Sequence, residues 1–222
     1  MSDEALKRLG RYLVRFPRLI YHYTFKNRID CIDVYVDTDH AGCLRTRKST
    51  SGGCVMMGNC LLKSWSSTQP TITLSSGEAE LHGVVRGGAA GIGFMSLLSD
   101  LGIRVPLRVW TDSTASQGIC SRQGLGKVRH LDVQELWVQQ RIRNGDFALY
   151  KIDGESNPGD IFTKASLTHH RIKTLLELLG CSYAAGRPNA APALRNIPGK
   201  ERSLVVKSRW KEAEEEEFHR EH

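Results

Sequence analysis

The 222-residue chain has no Cys-x-x-Cys pair; its six cysteines (Cys31, Cys43, Cys54, Cys60, Cys120 and Cys181) are scattered. Without a secretion signal, that spacing reads as reduced thiols filling a core, not as a disulfide framework. No uninterrupted apolar run approaches the ~18 residues of a membrane span, so a soluble or peripheral protein is expected. The opening Met1-Ser2-Asp3-Glu4 is acidic where a secretory leader is basic, and no small-residue cleavage site follows it. Internal repeats are absent. An excess of acid is lacking too: 31 Lys and Arg against 24 Asp and Glu leave a net charge of +7. Such a balance suits a polyanionic partner, nucleic acid foremost. The remaining composition, 40% hydrophobic and 25% charged, is that of a globular chain long enough to bury a core.

Hydrophobic spacing then divides the chain. Leu6, Leu9, Leu13 and Phe16 form one helical stripe between Ser2 and Pro17, with Lys7, Arg8, Arg11 and Arg15 on the other side. From Leu19 to Thr73 the pattern is that of strands. Ile32, Val34 and Val36 alternate with Cys31, Asp33 and Tyr35, and Gly58-Asn59 marks a two-residue hairpin between 54–57 and 60–65. Ser75-Ser76-Gly77-Glu78 opens a helix as a capping box, with Glu78 expected to reach back to Ser75. That helix runs to about Leu101 through Gly83, Gly87, Gly88, Gly91 and Gly93, which implies either close packing on a sheet or a break. A strand over 107–111, a short helix from Ser113, a helix over 131–143, a strand over 147–152 and a last helix over 160–179 follow. Beyond Cys181 the period collapses, and Glu214-Glu215-Glu216-Glu217 belongs to a charged, low-order end. The expected order, β-β-β-α-β-α-α-β-α, defines an α/β fold with a mixed five-stranded sheet flanked by helices.

Four acids occupy telling places on this framework. Asp37 ends the first strand of the set and Asp112 the fourth. Glu80 lies early on the helix between them, and Asp160 heads the last helix. Singly, each has an ordinary reading as a turn residue, a helix-surface residue or a cap. Gathered above one sheet edge they would repel unless cations lay between them, and hard oxygen ligands suit Mg²⁺ or Mn²⁺. Two such ions about 3.5–4 Å apart can clamp a scissile phosphate.

The motifs carrying these acids resemble a known family. Tyr35-Val36-Asp37-Thr38-Asp39-His40-Ala41-Gly42 and Arg47-Lys48-Ser49-Thr50-Ser51-Gly52-Gly53 are similar to the opening of the ribonuclease H domain of copia-type (LTR) retrotransposon Pol polyproteins. Lys63-Ser64-Trp65-Ser66-Ser67, Leu74 to Glu80, Trp110-Thr111-Asp112-Ser113, Arg129 to Val133 and Gly159 to Lys164 follow in the family's order. The resemblance runs from about Cys31 to Gly180. The helix before it resembles the end of the connection segment that joins reverse transcriptase to this domain. His40, Gly77 and Ala165 depart from the family's usual Trp, Thr or Ser, and Pro.

The resemblance implies a ribonuclease H-like fold and hydrolysis of the RNA strand of an RNA–DNA hybrid. It places the metal-binding and catalytic acids at Asp37, Glu80, Asp112 and Asp160, with two Mg²⁺ or Mn²⁺ ions as cofactors. His130 and Asp132 match an accessory His-x-Asp pair. Lys7, Arg8, Arg11, Arg15, Arg47 and Lys48 are candidate nucleic-acid contacts. A polymerase domain in a parent polyprotein is an implied partner, and family habit places the protein in the cytoplasm or nucleus. The expected organisation is a connection segment over 1–30, the ribonuclease H-like domain over 31–180 and a charged tail over 181–222. Two other readings stand beside this one. An integrase or transposase core shares the fold but carries its acids on the first strand, the fourth strand and a later helix. A transposon remnant would keep the four acids and bind nucleic acid without cutting it.

Overall fold

The computed structural model describes residues 3–24, 30–123 and 132–186, with the side chains of 132–135 left aside. Five strands form the central sheet: β2 (Ile32–Asp39), β3 (Thr50–Met57), β4 (Cys60–Thr68), β5 (Leu107–Thr111) and β6 (Ala148–Lys151). Their order is β4-β3-β2-β5-β6. β2, β3 and β4 are antiparallel neighbours, whereas β5 runs parallel to β2 and β6 parallel to β5. Met57 pairs with Cys60 across the expected two-residue turn, and Gly58 takes the positive φ of 61° that such a turn requires.

Helix α2 (Ser76–Asp100) lies across one face of this sheet. Its capping box is half as expected. Ser75 Oγ accepts from the Glu78 N–H, but Glu78 Oε2 accepts from the N–H of Leu74 at 2.7 Å instead of Ser75. The glycine-rich stretch does not break the helix. Gly83, Gly87 and Gly91 recur at helical spacing and face the strands: a Cβ at Gly91 would stand 2.5 Å from Leu107 Cδ1, and one at Gly87 would collide with Val36. Close approach therefore wins over the cost of helical glycine. By length and composition α2 could also cross a bilayer, at mean hydropathy 1.2. The expectation from uninterrupted apolar runs missed this because His82, Arg86 and the glycines break the string, while the mean over the helix stays apolar. Here the buried face of α2 meets Val34, Val36, Val109 and Leu107, with Leu81 and Val84 filling the layer. Helices α3 (Thr114–Ser121) and α4 (Asp132–Arg143) extend that side, adding Cys120 and Val138 to the core.

The opposite face is covered by α5 (His169–Leu178), whose Leu176, together with Leu179, packs on Cys54, Met56 and Leu61. One expected element is corrected here. The helix over 160–179 is two pieces, a 3₁₀ turn at Pro158–Phe162 and then α5, capped by Thr168. The first piece is capped by Asn157, so Asp160 is not a cap.

Two short strands lie outside the expected order. β1 (Arg18–Tyr21) pairs antiparallel with β7 (Cys181–Ala184), so ordered structure continues past Gly180. Helix α1 (Asp3–Arg15) precedes them. Its contacts differ from the expected leucine stripe: Leu6, Leu9 and Leu13 stay about half exposed, at 50%, 47% and 55%. Phe16, the last residue of that stripe, does make contact, stacking on Tyr183 at 4.3 Å and on His169 at 5.0 Å, and Tyr12, which the stripe left out, joins it.

Candidate metal centre

The parallel register between β2 and β5 builds the site. Tyr35 pairs with Trp110, so residues two further along each strand, Asp37 and Asp112, emerge beside each other on the same side of the sheet edge. Glu80 lies on the helical stripe of Gly83, Gly87 and Gly91, the stripe that approaches the sheet most closely. The same glycines therefore lower Glu80 onto the strand ends. One ligand atom from each of Asp37, Glu80 and Asp112 lies within 4.8 Å of the other two.

Glu80 is the most strained of the three electrostatically. Its Oε2 is buried with no hydrogen-bond partner. Burial first, then Asp37 and Asp112, push its carboxyl pKa up to about 9. Asp37 is raised as well, chiefly by burial, with Thr163 and Lys164 pulling the other way. An orphaned buried oxygen among mutually repelling carboxylates is a donor set that a hard divalent cation fits.

Asp160 stands beside the trio and not in it. It is 3% exposed, and both its oxygens are taken. Lys164 Nζ donates to Oδ1 at 2.7 Å and Arg171 donates to Oδ2 at 3.0 Å. Thr163, next to Lys164, donates from its hydroxyl to Asp37 Oδ2. Asn157, fully buried, holds this loop against the sheet: its Nδ2 donates to the Val36 carbonyl at 3.0 Å and its Oδ1 accepts from the Gly159 N–H. Gly52 makes room, since a Cβ there would meet Phe162 Cβ at 2.7 Å. The sequence reading missed Asn157, Thr163, Lys164 and Arg171. Thr163 and Lys164 lie with Asp160 in the motif that carried the resemblance, and Asn157 stands two residues before that motif, so closeness in sequence was a usable signal. Arg171, eleven residues on, left none.

Of the accessory pair, His130 lies outside the described residues, as does the Asp132 side chain. Among the basic candidates, Arg8 is tied to the protein itself, donating to the carbonyls of Ala165 and Leu167 at 3.1 and 2.9 Å. Arg15 lies over the Phe16 ring at 5.7 Å. Lys7, Arg11 and Arg47 are exposed, Arg47 on the β2–β3 loop at the acid end of the sheet, and Lys48 is partly buried there.

Fold and site together define the class: a ribonuclease H-like α/β domain with an acidic trio able to hold a metal ion. No family model matches the chain. Among curated proteins it is similar to the retrovirus-related Pol polyprotein from transposon RE1 of Arabidopsis thaliana, 28% identical over 167 residues, 72% of this chain. It is similar also to the retrovirus-related Pol polyprotein from transposon TNT 1-94 of Nicotiana tabacum, 26% identical over 148 residues, 66% of this chain. The chain spans 11% of the length of each of these relatives. The likeness to copia-type Pol polyproteins thus extends over most of the chain. Solved structures with a similar course include LC11-RNase H1, isolated from compost by a metagenomic approach (TM-score 0.47, 18% identity, 61% of this chain and 94% of that one). The same enzyme in complex with an RNA/DNA hybrid gives a TM-score of 0.41 at 16% identity, over 60% of this chain and 93% of that one.

Proposed function

We propose that the protein is a metal-dependent endonuclease that hydrolyses the RNA strand of RNA–DNA hybrids. The observation that carries this reading is the trio Asp37, Glu80 and Asp112, drawn from two parallel strand ends and a helix, with one Glu80 oxygen buried and unpartnered. Glutamate on the helix that follows the antiparallel strands is the arrangement the resemblance implies for ribonuclease H, and it is not that of an integrase core. Asp37, Glu80 and Asp112 would hold the first ion, with Asp160 beside them as the fourth acid. When bound, divalent ions supply Lewis-acid activation of water and charge stabilisation at the phosphate. Water adds to phosphorus, the bond to the 3′ oxygen breaks, and the products are a 3′-hydroxyl and a 5′-phosphate. The protein's own part is to fix the carboxylates, to exclude bulk water from Glu80 and to present basic residues such as Arg47 to the backbone. Discrimination for RNA would rest on its 2′-hydroxyl and on the shape of the hybrid, with little reading of sequence.

A second reading has one observation in its favour. Asp160 is already neutralised by Lys164 and Arg171, as in a remnant that binds nucleic acid without cutting it. One experiment separates the two. The purified chain is incubated with end-labelled RNA–DNA hybrid in Mg²⁺, in Mn²⁺ and in chelator. Cleavage confined to the RNA strand, lost in chelator and in Asp112→Asn, supports the nuclease. Salt-sensitive binding with no cleavage in either metal leaves only the remnant.

A further inference from the structure

We propose that Lys164 is a built-in cation that occupies Asp160 in the metal-free protein and thereby sets the order of metal binding. The first divalent ion binds Asp37, Glu80 and Asp112; a second binds only once Lys164 has left Asp160. This inference rests on the reading of the trio as a metal centre.

The two cations on Asp160 are not equivalent. Arg171 has a side chain only 16% exposed and is fixed from several sides. Besides Asp160 it donates to the carbonyls of Gly154 and Glu155, and it pairs with the Glu155 carboxylate at 3.2 Å. Removing it from Asp160 would strip several partners at once. Lys164 is 45% exposed, and its ammonium is held by Asp160 across one turn of chain. A lysine stem is long and flexible, and an ammonium group is a point charge without the planar fork that locks arginine in place. Arg171 therefore anchors Asp160, while Lys164 is the replaceable cation.

The structure also offers Lys164 somewhere to go. A groove of about 610 Å³ opens between α1 and the 161–172 segment, and Lys164 itself lines it. Glu4 lines the same groove, so a carboxylate is available to receive the ammonium. The backbone need not follow, because the Lys164 N–H is bonded to the Asp160 carbonyl at 3.0 Å and Arg8 holds the next residue's carbonyl. Only the side chain has to swing. The dication that replaces it brings a second unit of charge to a place faced by Asp37, Asp112 and Asp160, the acids whose fields act on Lys164. On this account Asp160, neutralised by Lys164 and Arg171, is held in reserve and not disabled, and the observation favouring the remnant acquires a working explanation.

The test counts bound Mn²⁺ on the full-length chain without nucleic acid, by electron paramagnetic resonance of free ion and by calorimetry. The wild type is expected to bind one ion in the titratable range. Lys164→Gln is expected to bind a second, tightened at least ~10-fold by loss of the competing unit charge. The second ion should disappear in the Asp160→Asn/Lys164→Gln double variant, and Lys164→Arg, which keeps the charge, should bind one ion as the wild type does. Equal occupancy by two ions in wild type and Lys164→Gln would overturn the proposal. So would a Lys164→Gln variant that only tightens the first ion, the signature of a general field effect. Should Lys164→Gln fail to fold, the wild type and Lys164→Arg still decide: a second ion bound by either one without nucleic acid contradicts it. Failure of the underlying metal reading looks different, since the wild type would then bind no Mn²⁺ or would bind it unchanged after Asp112→Asn.

Discussion

A buried carboxylate oxygen without a partner, as Glu80 has, costs a folded protein about 1–3 kcal/mol, which a proton or a cation relieves. Its folded pKa of about 9 lies above the roughly 4.3 of an unfolded glutamate. Between those values the native state keeps a proton that the unfolded chain has lost, so metal-free stability falls as pH rises across that window. Glu80→Gln should remove this slope. In chelator at pH 8, thermal melting should show the variant more stable by about 1–3 kcal/mol, while its hybrid cleavage is lost. Asp33 works with the opposite sign. Burial alone would raise its pKa, but hydrogen bonds from Arg108, Trp110 and Cys31 outweigh that and hold it below the ordinary range. Arg108 contacts both its oxygens at 2.7 Å. Its stabilisation is complete above about pH 3.9, the unfolded value, and is lost as pH falls through the lower folded one. Asp33→Asn should therefore cost about 1–3 kcal/mol in urea at pH 7, discounted for the partly exposed Arg108, and a smaller amount near pH 3. An undiminished difference at low pH would locate the effect in packing instead.

Helix α2 turns sequence into site position through what its glycines omit. Gly87 and Gly91 admit the sheet where a methyl group would strike Val36 and Leu107, whereas nothing lies within 4 Å of a Cβ at Gly93. Two identical substitutions six residues apart should then have opposite signs. Gly93→Ala is expected to stabilise by about 0.5–1 kcal/mol through helix propensity. Gly87→Ala should destabilise by about 1–3 kcal/mol through overpacking, and it should weaken Mn²⁺ binding because lifting α2 lifts Glu80. Melting curves and ion titrations on the pair check both. The number of glycines was plain in the sequence, but the choice between a break and a close approach lay in residues of another element, Val36 and Leu107. The segment after Asp160 was less legible for a similar reason. Nothing in Thr163 to Leu167 is a glycine or proline, and the helical pattern runs on through it. What ends the turn is tertiary: Thr163 is drawn to Asp37 and Arg8 takes the carbonyls of Ala165 and Leu167. Strand alternation and helix period put Asp37, Glu80 and Asp112 at strand ends and early on a helix, but what gathers them, the β2–β5 register and the packing of α2 on Val36 and Leu107, lies in other elements.

Across the whole molecule, net charge proved a coarse guide. Arg8, Arg108, Lys164 and Arg171 are all engaged within the protein, so the surface left for a polyanion is smaller than +7 suggests. The edges of the domain were the other coarse point. Strands of four residues, β1 and β7, are too short to announce themselves, and their partners lie at opposite ends of the described chain. Yet they close the lower core: Cys181 is buried against Leu176 and Leu179, with Leu19 and Tyr183 packed beside it. Tyr12 and Tyr183 add a hydrogen bond between hydroxyls at 3.0 Å. A fragment limited to 31–180, the extent of the motif resemblance, loses this clasp while keeping every element that supplies the trio. Losing one buried and two half-buried apolar groups costs about 2–5 kcal/mol, or about 5–15 °C in melting temperature for a domain of this size. A fragment spanning 3–186 should melt that much higher than 31–180 in the same buffer. Both should bind the first Mn²⁺ within about threefold of each other at 15 °C, because Asp37 and Glu80 sit on β2 and α2 and Asp112 follows β5, and neither strand pairs with β1 or β7. Equal melting temperatures would mean that β1 and β7 decorate the domain; unequal ion binding would mean that the clasp reaches the strand ends through α5 and Arg171.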